Sequence, residues 1–131
     1  MHNFKKLEIW KRAVALVTEV YQLTQAYPQH EVFGLTSQTR RAATSIPLNI
    51  SEGSAKSSDK DFARFLEIAV GSSFELETSL IIASNLSYIS NDMLEEFQVK
   101  IGELQKMIFA FVNGLKKPSS PIVLTPDSQS L

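Results

Sequence analysis

Residues 58–83 read SDKDFARFLEIAVGSSFELETSLIIA, and this stretch decides the class of fold. Ser58 with Asp61 three residues later forms a capping-box pattern, which marks the start of an α-helix. Apolar residues then recur every seven positions, at Phe62, Ala69, Leu76 and Ala83. A second apolar stripe follows another face, with Ile68, Phe74, Ile81, Ile82 and Tyr88. A helix that is apolar on two sides is typical of one that packs against two neighbours.

Three further helices are predicted around this one. The first covers residues 7–27 and ends before Pro28, because the residue before a proline avoids helical geometry. The second covers residues 34–52, and Pro47 within it removes one amide donor, so we expect a kink and no break. Gly53 then ends this helix, since glycine tolerates the left-handed conformation. The fourth follows cap residues 90–92 and carries an almost unbroken heptad: Leu94, Phe97, Ile101, Leu104, Ile108, Phe111 and Leu115.

These four helices predict the architecture. No segment alternates apolar and polar residues as a strand does, and three short connections favour antiparallel neighbours. We therefore predict an all-α, antiparallel up-down-up-down four-helix bundle over residues 1–117, with the second helix kinked at Pro47. Residues 118–131 are rich in proline and serine and are predicted to be a disordered tail.

Composition narrows the function classes. The chain of 131 residues is 44% apolar and has a formal net charge of −1, whereas proteins that depend on whole-molecule attraction to phosphates are normally basic. Cysteine is absent from the sequence and the two histidines lie outside the predicted helices, so we expect no metal site, no cofactor and no enzyme activity. We find no signal peptide and no apolar run near the roughly 20 residues of a membrane span, so we expect a cytoplasmic protein without membrane contact.

The helices carry more apolar surface than one core requires. Additional apolar residues lie off the main stripes, at Trp10, Val14, Tyr21, Phe74, Ile81, Ile82, Val99, Phe109 and Val112. A contiguous exposed apolar patch marks an interface, so we predict that the protein associates with itself.

Polar residues on the inner side of the second helix predict a structural network. Arg41 lies level with Glu75 of the third helix in an antiparallel hairpin, and we expect a buried ion pair between them. Arg40 is turned about 100° away and is predicted to lie on the surface. Ser45, Asn49 and Glu52 fall near the apolar face and must be hydrogen-bonded if they are buried. A ligand pocket at the Pro47 kink is the alternative interpretation.

Basic residues at the start of the first helix form a candidate nucleic-acid contact. Lysine and arginine side chains bind phosphate oxygens, although a solvated helix start is the more common reason for such a run. The candidate residues are Lys5, Lys6, Lys11, Arg12 and, as a surface arginine, Arg40.

One string of residues resembles the signature of a known family. In the second predicted helix the string comprises residues 34–43, 45–47, 49–50 and 52–53. In the third it comprises Phe62, 64–66, Ala69, 71–72 and 75–78. Near the start of the chain, Phe4, Leu7 and Trp10 also belong to it. This string is similar to that of the bacterial four-helix-bundle proteins called 23S rRNA intervening-sequence proteins, over the chain up to about Lys117. Arg40, Arg41, Asn49, Glu52, Ser72 and Glu75 match signature positions, and through this match Ser72 joins the predicted polar network.

The resemblance implies an antiparallel four-helix bundle that assembles as a ring-like homopentamer. Some members of the family are encoded in insertions within large-subunit ribosomal RNA genes. The accessory proteins of diversity-generating retroelements are distantly similar, and they bind a reverse transcriptase and nucleic acid through a basic pentameric barrel. We therefore expect a non-enzymatic homo-oligomeric scaffold that engages RNA or an RNA-handling protein. A protein–protein interaction module without nucleic-acid contact is the alternative.

Overall fold

The computed structural model describes residues 1–116, and no β-strand occurs within them. The helices are α1 (Glu8–Thr24), α2 (Leu35–Ser54), α3 (Asp59–Asn85) and α4 (Asn91–Lys116), with single 3-10 turns at Phe4–Lys6 and Gln29–Glu31. The predicted all-α four-helix bundle is confirmed. The predicted tail, residues 118–131, lies outside the described residues.

Side-chain caps explain where three of the helices begin. The Ser58 hydroxyl oxygen accepts the backbone N–H of Asp61 at 3.1 Å, as the capping-box pattern predicts. The Ser90 hydroxyl oxygen accepts the N–H three residues later, also at 3.1 Å, before α4. At α2 the cap is a carboxylate that the sequence pattern did not suggest, because Glu31 Oε1 accepts the N–H of Leu35 at 3.0 Å.

Helix α2 continues unbroken through Pro47, which is buried. The kink at this residue stays a prediction. The predicted role of Gly53 is wrong, because no glycine among the described residues has a positive φ and the helix runs on to Ser54. A Cβ on Gly53 would lie 2.7 Å from the Cβ of Phe65 and 2.9 Å from Cδ1 of Phe62, so glycine is needed there for the close approach of α3.

Residues later in one helix contact residues earlier in the neighbouring helix. Between α2 and α3, Ser45 pairs with Ser72 and Gly53 lies against Phe65. Between α1 and α4, Arg12 pairs with Glu103, and Glu19, seven residues further along α1, pairs with the earlier Lys100. This order is that of antiparallel neighbours.

All four helices supply the core between them. Its fully or almost fully buried side chains include Ala13, Val20, Ile46, Ile50, Leu66, Leu76, Leu80, Ile101, Leu104 and Ile108. Most of them lie on the heptads and three-to-four-residue spacings that the sequence predicts. Among the described helices, none is long and apolar enough to cross a membrane.

Candidate nucleic-acid interface

The first residues of the chain are fastened to the end of the bundle where α2 finishes and α3 begins. The backbone N–H of His2 donates to the carbonyl of Ser54 at 2.9 Å. The His2 ring centroid lies 4.9 Å from that of Phe62 on α3 and 5.9 Å from that of Phe111 on α4. The turn Phe4–Lys6, with its two lysines, is therefore held beside the ends of α2, α3 and α4.

Other basic side chains gather at this end. Lys60, Arg64 and Lys116 line one cavity of about 560 Å³ together with the carboxylates Asp59, Asp61 and Glu67. Lys56 lies in the short connection between α2 and α3. We call this group the lysine end, and it consists of Lys5, Lys6, Lys56, Lys60, Arg64 and Lys116. Only Lys5 and Lys6 of this group were predicted, because the other four are brought to them by the tertiary fold.

The lysine end keeps most of its positive charge available. Arg64 lies 3.7 Å from the Asp61 carboxylate and Lys116 lies 3.7 Å from that of Glu67, and all four side chains are more than half exposed. Exposed pairs of this kind contribute little to stability and are screened by salt. The other members of the lysine end form no ion pair with any residue of the described part of the chain.

The opposite end of the bundle is acidic. Residues 13–39 and 65–99 contain no lysine or arginine, and both segments run through that end. Its carboxylates are Glu31, Asp92, Glu95 and Glu96. The lysine end also carries carboxylates, among them Asp59, Asp61 and Glu67, so the two ends differ in that lysine and arginine are confined to one of them. These two segments without lysine or arginine are the signal in the sequence. Combined with antiparallel helices, they predict that the basic residues gather at one end of the bundle.

Two of the predicted basic contacts are engaged within the chain. Arg12 Nη1 lies 3.4 Å from a carboxylate oxygen of Glu103 on α4. The prediction that Arg40 is the surface residue of the Arg40–Arg41 pair is wrong, because Arg40 is half-buried and Arg41 is exposed. Its Nε donates to the Thr24 hydroxyl oxygen at 2.8 Å, and its guanidinium carbon lies 4.5 Å from the centroid of the Tyr21 ring. Arg40 therefore ties α2 to α1, whereas the Arg12–Glu103 pair is about as exposed as the two pairs at the lysine end, and Lys11 is exposed.

The predicted polar network is smaller than expected. The hydroxyls of Ser45 and Ser72 lie 2.7 Å apart, which links α2 to α3. Asn49 Nδ2 donates to the Ser45 carbonyl at 2.8 Å and to its hydroxyl oxygen at 3.0 Å. Glu52 is exposed and makes no side-chain hydrogen bond among residues 1–116, so its assignment to this network is wrong.

The predicted buried ion pair between Arg41 and Glu75 is also wrong. Both side chains are exposed, and no salt bridge joins them. They line one polar cavity of about 210 Å³ between α2 and α3, with Ser45 and Ser72 among its other lining residues. The helices meet there through small serine side chains, so solvent reaches the two charged groups, which were predicted to be buried.

A hydrogen-bonded cluster joins the two connections at the acidic end. The Tyr88 hydroxyl donates to Glu31 Oε2 at 2.8 Å, while Oε1 accepts the N–H of Leu35. The Leu35 and Tyr88 hydrogen bonds both lower the pKa of the Glu31 carboxyl. The same hydrogen bond to Glu31 raises the pKa of Tyr88. This cluster ties the α1–α2 connection to the α3–α4 connection.

Much of the surplus apolar surface stays exposed in the single chain. Phe33, in the α1–α2 connection, is 94% exposed. The exposed residues that were predicted from the extra stripes are Val14, Tyr21, Phe74, Ile81, Ile82, Val99 and Phe109. Two predicted members are not exposed, since Val112 is buried and Trp10 packs partly against the core.

Residues 1–116 hold no cluster of three histidine or carboxylate side chains arranged for a metal ion. The described part of the chain thus offers three features for binding: the lysine end, the small polar cavity, and the exposed apolar side chains.

Comparisons with known proteins agree with the fold. Residues 5–110 match a family model described as 23S rRNA-intervening sequence protein. The structure is similar to the 1.70 Å crystal structure of a protein of unknown function from the S23 ribosomal protein family of Bacteroides thetaiotaomicron VPI-5482. The TM-score is 0.74 at 23% sequence identity, over 80% of this chain and 95% of that chain. No curated protein matches the sequence.

Proposed function

Because the chain belongs to the 23S rRNA-intervening sequence protein family, we propose that it is a non-enzymatic, homo-oligomeric helical scaffold whose lysine end binds RNA. The observation that carries this proposal is that six basic residues gather at one end of the bundle, among carboxylates such as Asp61 and Glu67, whereas the segments through the other end, residues 13–39 and 65–99, hold carboxylates and no lysine or arginine. The family description refers to ribosomal RNA, and RNA as a ligand of this chain is our inference from the charge distribution.

The separation of charge favours binding in one orientation. A nearly neutral protein gains no attraction to RNA from its net charge, so the attraction has to come from a local field. Lys5, Lys6 and Lys60 are exposed and belong to the lysine end, where their ammonium groups contact phosphates without having to leave a carboxylate. The acidic end repels the same phosphates, which directs RNA to the lysine end.

Self-association strengthens RNA binding by the lysine end, which is weak in a single chain. We propose that exposed apolar side chains on the helices are covered by further copies of the chain, in a closed assembly such as the homopentamer that the resemblance implies. In a ring whose axis is parallel to the helices, every lysine end lies on the same rim. Several weak patches on one rim bind one RNA with avidity and need no additional contact within the protomer.

The test measures the affinity of a short fluorescent single-stranded RNA by anisotropy, at several salt concentrations. The variant carries Lys5→Gln, Lys6→Gln and Lys60→Gln. We expect weaker binding and a shallower salt dependence, whose logarithmic slope falls by about 0.7 for each phosphate that the variant no longer neutralises. Lys106→Gln is the matched control, because Lys106 is an exposed lysine about 15 Å along α4 from Lys116.

Either of two outcomes contradicts RNA binding at this end. One is an affinity and salt slope that the triple variant leaves unchanged. The other is a loss of binding free energy in Lys106→Gln that equals the loss per lysine in the triple variant, which indicates an unspecific effect of charge.

The alternative function is a protein–protein module without nucleic-acid contact. The exposure of Phe33, which is 94% and lies outside the lysine end, favours this interpretation. A partner that is recovered after nuclease treatment and lost in Phe33→Ser, while the wild-type protein binds no RNA, would support it.

A further inference from the structure

Two opposite sides of the bundle carry similar apolar stripes with charges of opposite sign. We call the first the α1–α2 face, and it consists of Val14 and Tyr21 on α1 with Arg40 beside them on α2. Val14 and Tyr21 are seven residues apart and both exposed, at 38% and 40%. Arg40 belongs to this face because its guanidinium lies against the Tyr21 ring.

We call the second the α3–α4 face, and it consists of Phe74, Glu77 and Ile81. Phe74 and Ile81 are also seven residues apart on one helix stripe, and they are 53% and 38% exposed. Glu77 lies between them on that stripe, and its Oε2 accepts Gln98 Nε2 of α4 at 3.3 Å, which turns the stripe towards α4.

From these two faces we infer that the α1–α2 face of one copy packs on the α3–α4 face of the next copy, with Arg40 paired to Glu77 of that copy. This inference rests on the self-association in the proposed function and names its surfaces. The two faces differ, so the contact is heterologous and closes into a ring when its rotation allows.

The first argument is height along the bundle. The Ser45–Ser72 hydrogen bond fixes the register of α2 against α3. Arg40 is five residues before Ser45 and Glu77 is five residues after Ser72, so in antiparallel helices the two charges lie at the same height. A rotation about an axis parallel to the helices preserves height. Arg40 of one copy is therefore level with Glu77 of its neighbour in such a ring.

The apolar side chains alternate in height, which is the condition for interlocking. Tyr21 contacts Arg40 and is thus level with Glu77, between Phe74 and Ile81. Since α1 and α3 run in the same direction, Val14 lies about 10 Å lower, below Phe74. Each large side chain of one face then faces a gap between large side chains of the other, as ridges fit grooves.

The charges are also complementary and incompletely used within the chain. Within residues 1–116 the Arg40 guanidinium donates hydrogen bonds only to Thr24 and the Tyr21 carbonyl, and Glu77 accepts one only from Gln98. Guanidinium has five N–H donors and a carboxylate accepts at both oxygens, so each group retains capacity for a partner. Arg40 and Glu77 lie on opposite sides of one chain and have no means of pairing within it.

The experiment measures mass by light scattering on a size-exclusion column at one protomer concentration, with circular dichroism to verify folding. We expect the wild type to be oligomeric, and Phe74→Glu and Glu77→Arg to be folded monomers. Phe33→Glu is the control, because it adds the same charge at an apolar residue outside both faces, and it should keep the wild-type mass. Adding Arg40→Glu to Glu77→Arg should restore the oligomer.

The outcomes separate this inference from the proposed function. If folded Phe74→Glu and Glu77→Arg keep the wild-type mass, the assignment of the faces is overturned while self-association stands. If Phe74→Glu is monomeric and the folded double variant, Arg40→Glu with Glu77→Arg, is monomeric as well, the Arg40–Glu77 pair is overturned. The apolar contact between the two faces then stands. A wild-type monomer overturns self-association itself and leaves RNA binding to be judged by the anisotropy test.

Discussion

Replacing Gly53 with alanine introduces one methyl group at the closest approach of two helices. The new Cβ would lie 2.7 Å from the Cβ of Phe65 and 2.9 Å from Cδ1 of Phe62. The Phe65 Cβ is bonded directly to the backbone of α3, so a change of rotamer does not remove it. Relief requires α2 and α3 to separate, and such overpacking costs about 1–3 kcal/mol.

The helix propensity of alanine opposes this cost. Alanine is favoured over glycine by up to about 1 kcal/mol in a helix interior and by less in the last turn, where Gly53 lies. The net expectation for Gly53→Ala is a loss of about 1–2 kcal/mol in the free energy of unfolding. For a chain of this length the melting temperature should fall by about 4–8 °C.

Gly114→Ala is the matched control for this change. Gly114 also lies near the end of its helix, but a Cβ there meets no atom within 4 Å. Only the difference in helix propensity remains, and in the last turn it is smaller than in a helix interior, so we expect a gain of less than about 1 kcal/mol. The assay is urea unfolding followed by circular dichroism, at one protomer concentration because oligomers gain stability by mass action. A Gly53→Ala protein as stable as Gly114→Ala would refute the close approach of α2 and α3.

Three further predictions follow from individual contacts. Arg40→Ala should lower the free energy of unfolding by about 1–2 kcal/mol in urea melts, because it removes a hydrogen bond and a cation–π contact to α1. Glu31→Gln should be less stable than wild type at neutral pH, and the difference should shrink as the pH falls below 4.5. The reason is that the pKa of Glu31 is depressed in the folded state, so the stability that its carboxylate contributes is lost on protonation. A difference in stability that is constant with pH would contradict this. Tyr27→Phe should be at least as stable as wild type by thermal melting, because the buried Tyr27 hydroxyl has no hydrogen-bond partner among the described residues, and burial raises its pKa to about 12.

Much of the fold follows from patterns within the sequence. The repeat that begins at Phe62 and the cap at Ser58 define α3, and the repeat from Leu94 defines α4. These signals are local, because residues three and four apart share one face of a helix and a cap acts within one turn. The family signature is also a property of the sequence, and the match over residues 5–110 confirms it.

Contacts between helices were harder to predict, because the apolar pattern alone does not give the rotation of each helix or its height beside its neighbours. Arg40 and Arg41 show the consequence, since one step of about 100° places the first against α1 and leaves the second exposed. Gly53 shows a second limit, because its role depends on how near Phe65 comes.

The candidate site likewise has one part that the sequence determines and another that only the tertiary structure determines. The sequence by itself determined the helices, the apolar stripes and the basic residues of the chain start, since each depends on neighbours a few positions away. Only the tertiary structure brought Lys60, Arg64 and Lys116 to one end with Lys5 and Lys6, because antiparallel packing places the start of α3 and the end of α4 beside the chain start. Charges that are distant in the chain act together only after folding makes them neighbours, and that neighbourhood is the physical basis of the proposed RNA contact.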